Sequence, residues 1–418
     1  MKQVIPKKIE EQSVIIPGSK SISHRMMICA ALAGGTSTIK NLLQSEDIEL
    51  TMAALNAFGA KINLINQNQM KVSGFGGKPQ SFNDEIYLGN SGTSMRLLAG
   101  IAALGNTRYC LTGNQRMRER PMIELLDALT MIGISAVSDN NRGTPPVLIH
   151  GNNREGGNVK IDCSKSSQYL SSLLMMAPFM EKGLDLSLDG PPVSSPYINL
   201  TIDIMKKFQV NAYQIDLTRY QVPGGQFYIP GNFFVEPDLS NAGYFWAIGA
   251  ITKKMISVNN IDKNSLQGDL KQIEILKQMG CILKIEDRKI GVCGADLEGI
   301  EVDMSDTPDA VPAIAVVASF AKGMTKIFNI KHLREKECDR IDAVSSQLIK
   351  MGVKVEQGDD FLKITGGTPT GAKIETFNDH RIAMAFSIAG LKIPGMVIEN
   401  ETCVAKSFPT YWEIFEAL

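Results

Sequence analysis

Six stretches of the chain switch abruptly from polar to apolar. They are SKSISHR from Ser19, GNSGTSMR from Gly89, SKSSQYL from Ser164, DLSNAGY from Asp238, SDTPDAV from Ser305 and NDHRIAM from Asn378. The runs that follow share one texture of small and apolar residues: MMICAALA, LLAGIAAL, SSLLMMAP, FWAIGAI, AIAVVASFA and AMAFSIAGL. A helix that is apolar all round has no solvent side, so this pattern predicts six buried helices at a period of about 70 residues. After each comes a β-rich stretch that reads as a strand: TSTIKNL, TRYCLTG, LDLSLDG, MISVNNI, MTKIFNI and GMVIEN. Between the units lie segments with one apolar face, such as IELTMAALNAFGA, IELLDALTMIG, LTIDIMKKF, KQIEILKQMG and IDAVSSQLIKMG. These predict outer helices, several closing on a glycine.

A chain of 418 residues exceeds the roughly 250 to 300 residues that one core sustains. Six units therefore predict two domains of three, each wrapping buried helices in a shell of sheets and outer helices. If the buried helices run parallel, their polar starts gather on one face of each domain. The stretch PGSKSISHR, from Pro17 to Arg25, illustrates what such a start offers. A Gly turn leads into a helix that Ser21 or Ser23 can cap, with Lys20 and Arg25 beside it. Free backbone N–H groups, the positive end of the helix dipole and two cations share one small volume. That combination suits a phosphorylated or carboxylated ligand, and its recurrence separates it from an ordinary capped helix end.

The 43 basic and 44 acidic residues leave a formal charge of −1, too little field to draw in nucleic acid or an anionic membrane. Anion recognition must come from local clusters. The first twenty residues lack the apolar core of a signal peptide, and no segment approaches the roughly 18 apolar residues of a membrane span. A soluble cytoplasmic protein is expected. The seven cysteines are scattered without a CxxC pair or a nearby His, which predicts reduced thiols rather than a zinc site. The pairs Met26-Met27 and Met175-Met176 read as core filler.

The motifs PGSKSISHR, LGNSGTSMR, LTGNQRMRERPM, SKSSQYL, SSPYI, TPDA, LREKECDR, NDHRIAMA and CVAKSFP stand in one order along the whole chain. In them the sequence resembles the 5-enolpyruvylshikimate-3-phosphate synthases, the 3-phosphoshikimate 1-carboxyvinyltransferases. The resemblance implies an α/β fold of two inside-out barrels, each with three βαβαββ repeats around buried parallel helices. It implies a discontinuous domain, residues 1–17 plus 236–418, on the catalytic acid/base and phosphoenolpyruvate side. The second domain, residues 18–235, takes shikimate 3-phosphate, and the active site lies in the cleft between the two. The implied reaction moves the enolpyruvyl group of phosphoenolpyruvate to the 5-hydroxyl of shikimate 3-phosphate, with no metal or organic cofactor, in a monomer.

The same resemblance assigns residues. For shikimate 3-phosphate it implies Lys20, Ser21, Arg25, Ser166, Ser167, Gln168, Ser194, Tyr197, Asp309 and Lys336. For phosphoenolpyruvate it implies Lys20, Asn90, Gly92, Thr93, Arg120, Gln168, Arg340, Arg381 and Lys406, the arginines gripping planar anions with their forked donors. The reaction needs proton donors and acceptors on both sides of the substrate. Asp309 is expected to be the base for the hydroxyl and Glu337 the acid toward the methylene carbon, with Lys20 assisting. Arg116 and Arg118 read as solvated charge, and His24 and His380 as positioning partners of the neighbouring arginines. His332 stands where many relatives carry an asparagine, and Val404 where many carry a threonine. Two rivals are a UDP-N-acetylglucosamine enolpyruvyl transferase and a non-catalytic anion binder. The first is opposed by the absence of a cysteine between Leu111 and Pro121, the second by the presence of Lys20, Asp309 and Glu337.

Overall fold

The computed structural model describes every residue except Asn83 and Asn152. The chain forms two compact units. The inserted unit is Gly18–Val235, and the flanking unit joins Met1–Pro17 to Glu236–Leu418. Each has its own apolar core.

The inserted unit carries helices α1 (Lys20–Leu32), α2 (Glu46–Ala57), α3 (Gly92–Ala102), α4 (Ile123–Met131), α5 (Gln168–Met176) and α6 (Pro196–Lys207). The flanking unit carries α7 (Leu239–Thr252), α8 (Gln272–Gln278), α9 (Val311–Ala318), α10 (Arg340–Lys350), α11 (His380–Gly390) and α12 (Tyr411–Glu416). The six helices predicted to be buried are α1, α3, α5, α7, α9 and α11. All of α9 and α11 is buried, as is α7 from Leu239 to Ile251. Their starts are built by side chains that accept orphan N–H groups. Ser19 accepts from Ile22, Ser91 from Ser94, Asp238 from Asn241 and Asp379 from Arg381. The TPDA segment departs from the expectation of a direct helix start, because Pro308–Ala310 forms a 3-10 turn before α9 begins. The paired methionines of α1 and α5 are buried core residues, as their setting predicts.

Among the described residues six sheets form the shells, five of four strands and one of three. Each four-stranded sheet holds one parallel pair and an antiparallel hairpin that follows the outer helix, and in three of them the parallel pair flanks the buried helix. For example, Glu85–Tyr87 and Arg108–Thr112 pair in parallel around α3, and the hairpin Ser135–Ser138 with Val147–His150 follows α4. Three repeats run contiguously in this way, and the other three borrow a strand distant in sequence. Asn232–Phe234 joins Thr36–Lys40, Gln12–Val14 joins Ile256–Asn259, and Lys2–Val4 joins Met396–Ile398. The last of these sheets is the three-stranded one and lacks the hairpin, so the sixth repeat is shorter than the regular period suggests.

Close packing of the buried helices depends on small residues. A side chain on Gly100 of α3 would place its Cβ 2.7 Å from both the carbonyl and hydroxyl oxygens of Ser172 on α5. The Gly100 amide uses that approach to donate to Ser172 Oγ at 3.0 Å. We expect Gly100→Ala to cost about 1 to 3 kcal/mol by overpacking, measured by denaturant unfolding. Gly367 is the control: a Cβ added there would meet nothing within 4 Å, and Ala should change stability by less than about 1 kcal/mol.

Candidate active site

In the inserted unit the starts of α1, α3 and α5 are tied together by polar contacts. Thr93 Oγ1, in the first turn of α3, accepts from Gln168 Nε2 at the first residue of α5, 3.0 Å away. The other side of the same amide accepts from Arg96 Nη1 at 3.1 Å, and Arg96 also donates to the Pro121 carbonyl at 3.3 Å. Gln168 is thus clamped in one orientation. Ser166 Oγ accepts from the Gln168 amide, and Ser166 and Ser167 are both buried at this helix start.

Arg25 lies deeper, 1% exposed. Its Nε donates to Thr201 Oγ1 at 2.7 Å, Nη2 to Ser171 Oγ at 3.3 Å and Nη1 to the Ser21 carbonyl at 3.0 Å. The guanidinium sits 5.9 Å from the Tyr197 ring centre. Burial lowers its pKa to about 10, which still leaves it charged at neutral pH. Ser194 is buried with a left-handed backbone, φ 54°, and its hydroxyl meets no hydrogen-bond partner among the described residues. Lys20 is also buried, and its Nζ donates to Asp47 Oδ2 at 3.0 Å. His24 shares a hydrogen bond between Nδ1 and Thr51 Oγ1 at 2.8 Å.

Within the same unit, Arg120 Nη1 donates to the Asn90 carbonyl and to Asn90 Oδ1, each at 3.3 Å. Gly92 makes room for it, because a Cβ there would lie 2.5 Å from Arg120 Nη2. Arg116 instead pairs with Glu119 at 3.1 Å, and Arg118 donates to Gly113 and Thr112.

In the flanking unit the starts of α7, α9, α10 and α11 converge on two arginines. Arg340, 1% exposed, divides its donors among three carboxylates. Nε donates to Asp379 Oδ2 at 2.8 Å, Nη1 to Asp309 Oδ1 at 2.7 Å and Nη2 to Glu337 Oε2 at 2.8 Å. Arg381 Nη2 donates to Asp309 Oδ2 at 2.6 Å and Nη1 to the Tyr244 hydroxyl at 3.3 Å. Burial works to raise the Asp309 pKa, but Arg381, Arg340 and Lys336 together outweigh it and hold the carboxyl well below the usual range. Burial pushes the nearby Asp269 up to about 7, with the Asp309 charge adding to the rise, although Ser240 donates to it at 2.7 Å. Lys406 is buried at the end of the 3-10 run Glu401–Lys406.

Several residues of this architecture are not evident as site residues from the sequence. Arg96, Asp47, Thr201, Ser171, Tyr244 and Asp379 hold the expected residues in place. Arg96 and Asp379 lie inside the motifs, and an arginine within an otherwise apolar helix is itself a signal of a buried partner. Thr201 and Ser171 carry no such signal, since their contacts join α5 and α6 to α1 across long sequence separations.

Comparison with known proteins places the chain. The family model described as EPSP synthase (3-phosphoshikimate 1-carboxyvinyltransferase) matches residues 5–415. The chain belongs to the EPSP synthase family. A 3-phosphoshikimate 1-carboxyvinyltransferase of Nostoc punctiforme is 41% identical over 407 residues, spanning 97% of this chain and 96% of the relative. One of Shewanella baltica is 41% identical, spanning 96% of each chain. Among solved structures, the EPSP synthase of Acinetobacter baumannii superposes with a TM-score of 0.83 at 28% identity, covering 99% of this chain and 97% of the other. The enolpyruvyl transferase NikO of Streptomyces tendae shares the fold, with a TM-score of 0.77 at 16% identity and coverage of 100% and 96%. Among the described residues no helix is long and apolar enough to cross a membrane.

His332 lies in the flanking unit of this EPSP synthase family member. It is buried in the 3-10 turn Lys331–Glu335, its Nε2 without a hydrogen-bond partner among the described residues. Burial, reinforced by Lys336, lowers its pKa from 6.5 to about 3. The unfolded chain takes up a proton there below about 6.5 and the folded chain does not until about 3, so this group removes stability as pH falls through that window. We expect its imidazole 15N shifts to stay flat from about pH 8 to about pH 5. A midpoint near the ordinary value would overturn the assignment.

Proposed function

We propose that the chain is a 3-phosphoshikimate 1-carboxyvinyltransferase, moving the enolpyruvyl group of phosphoenolpyruvate to the 5-hydroxyl of shikimate 3-phosphate and releasing phosphate. The family match and the relatives named above support this reading. One observation of geometry carries it: a carboxylate, Asp309, is held between two buried guanidinium groups, with a second carboxylate, Glu337, on one of them. Addition to phosphoenolpyruvate requires this pairing of anion-binding cations with proton-transfer groups.

In the addition step the acceptor O–H bond breaks as its oxygen bonds the central carbon of phosphoenolpyruvate, and the π pair takes a proton on the methylene carbon. Elimination then removes a methyl proton, reforms the double bond and expels phosphate. Asp309 serves as base toward the hydroxyl and Glu337 as acid toward the carbon, with Lys20 assisting. Lys20, Ser21, Arg25, Ser166, Ser167, Gln168, Ser194, Tyr197, Asp309 and Lys336 receive shikimate 3-phosphate. Lys20, Asn90, Gly92, Thr93, Arg120, Gln168, Arg340, Arg381 and Lys406 receive phosphoenolpyruvate. Both substrates are anions, and each charge-assisted hydrogen bond contributes roughly 1.5 to 3 kcal/mol, so a handful suffices for recognition. The protein works as a cytoplasmic monomer in aromatic amino acid biosynthesis, upstream of chorismate.

Purified protein should release phosphate from phosphoenolpyruvate when offered shikimate 3-phosphate, and not when offered UDP-N-acetylglucosamine. The reverse preference would replace the proposed acceptor. Asp309→Asn is expected to lower turnover at least about a hundredfold, the range for losing a positioned acid–base group; unchanged turnover would remove it from the chemistry. Gly92→Ala must push the Arg120 guanidinium aside. It should raise the KM for phosphoenolpyruvate about tenfold, a shift of about 1.4 kcal/mol in binding, while the denaturation midpoint stays near that of the parent chain. A KM that does not move would show that Arg120 is not a ligand.

A further inference from the structure

Arg340 and Arg381, read above as ligands for phosphoenolpyruvate, are already occupied by the group read as the base. Both Asp309 oxygens are engaged, one by each guanidinium, at 2.7 and 2.6 Å. A carboxylate held in this way is in the right charge state for a base and has little affinity for a proton. The direction of its pKa agrees. The two duties therefore conflict in this arrangement.

The three carboxylates on Arg340 are not equivalent. Asp379 is fully buried, and besides accepting from Arg340 Nε it caps α11 by accepting from the Arg381 amide at 2.8 Å. It cannot leave without uncapping the helix that carries Arg381. Glu337 is 10% exposed and meets Arg340 from three residues back along the chain. Asp309 is 20% exposed, the most open of the three, and accepts from both arginines. An incoming anion meets Asp309 first, and displacing it frees two donors at once.

We infer that Asp309 is a built-in occupant of the anion site, holding Arg340 and Arg381 until an anionic group of phosphoenolpyruvate takes them over, and that this exchange releases Asp309 to accept the hydroxyl proton. The inference rests on the proposed reaction. It makes the second substrate the trigger for the base. The physical basis is competition: a phosphorylated dianion or a planar carboxylate offers the guanidinium forks the same acceptor geometry as Asp309, with more charge in the first case. Once Asp309 has lost its guanidinium partners and gained a neighbouring anion, both changes raise its proton affinity. Lys336 and Glu337 act on it with opposite charge. The proton then passes from the acceptor hydroxyl to Asp309 as the new C–O bond forms, with no change in oxidation state.

The test is binding of phosphoenolpyruvate alone, followed by 31P NMR titration of the full chain. Asp309→Asn should bind it about tenfold more tightly than the parent, because the internal competitor has lost its charge. Glu337→Gln removes a carboxylate from Arg340 without opening Arg381 and should gain less than about threefold. Should Asp309→Asn fail to fold, Asp309→Ser makes the same comparison. Equal or weaker binding by the Asp309 variant, or an equal gain from the Glu337 variant, overturns the exchange. If the parent chain still releases phosphate with shikimate 3-phosphate in that case, the transfer reaction stands without it. A parent chain that neither binds phosphoenolpyruvate nor releases phosphate overturns both.

Discussion

A buried charge must find its opposite, and the flanking unit is arranged around that requirement. Arg340 is almost wholly removed from water, a position that would cost several kcal/mol without compensation. Its three carboxylate partners come from residues 309, 337 and 379, two of them far from it in sequence. Satisfying this one guanidinium therefore fixes the starts of α9, α10 and α11 at a common point. Arg381 extends the network to α7 through Tyr244. The chemistry proposed for this unit is carried by the same bonds that hold its helices in register.

In the inserted unit Arg25 meets the same requirement with neutral groups. Arg25 is as buried as Arg340, yet it donates to the hydroxyls of Thr201 and Ser171 and to a backbone carbonyl. Its pKa falls with burial. Burial works on Arg340 in the same direction, but there the carboxylates outweigh it and raise the pKa well above the ordinary value. A guanidinium held by hydroxyls keeps its charge for an anionic ligand, while one held by carboxylates must exchange partners to bind one. On the proposed reading, Arg25 is ready for an anion as it stands and Arg340 only after it exchanges partners.

Helices without a polar face set where the polar groups of the flanking unit gather. An amphipathic helix would place its polar groups along one side, but α7, α9 and α11 are buried along their length, and their polar residues concentrate at the starts. There the unpaired N–H groups and the dipole already favour negative charge. The capping carboxylates Asp238 and Asp379 use part of this potential for stability.

The six buried helices are legible in the residues alone, because all-round apolarity leaves a helix nowhere but the interior, and so is the polar cluster at each start. The family's motifs also stand in order along the chain. Local pattern does not decide which strands complete a sheet, since Lys2–Val4, Gln12–Val14 and Asn232–Phe234 each pair with strands remote in the chain. Nor does it reveal that Asp309 rests on Arg340 and Arg381, or that Arg96 clamps Gln168. Those pairings join residues 31, 72 and 72 positions apart, and hydrogen bonds over such separations are selected by packing and by the need to neutralise buried charge. Periodicity reports only which face of an element is apolar; which charge meets which is decided when the folded chain excludes water from both.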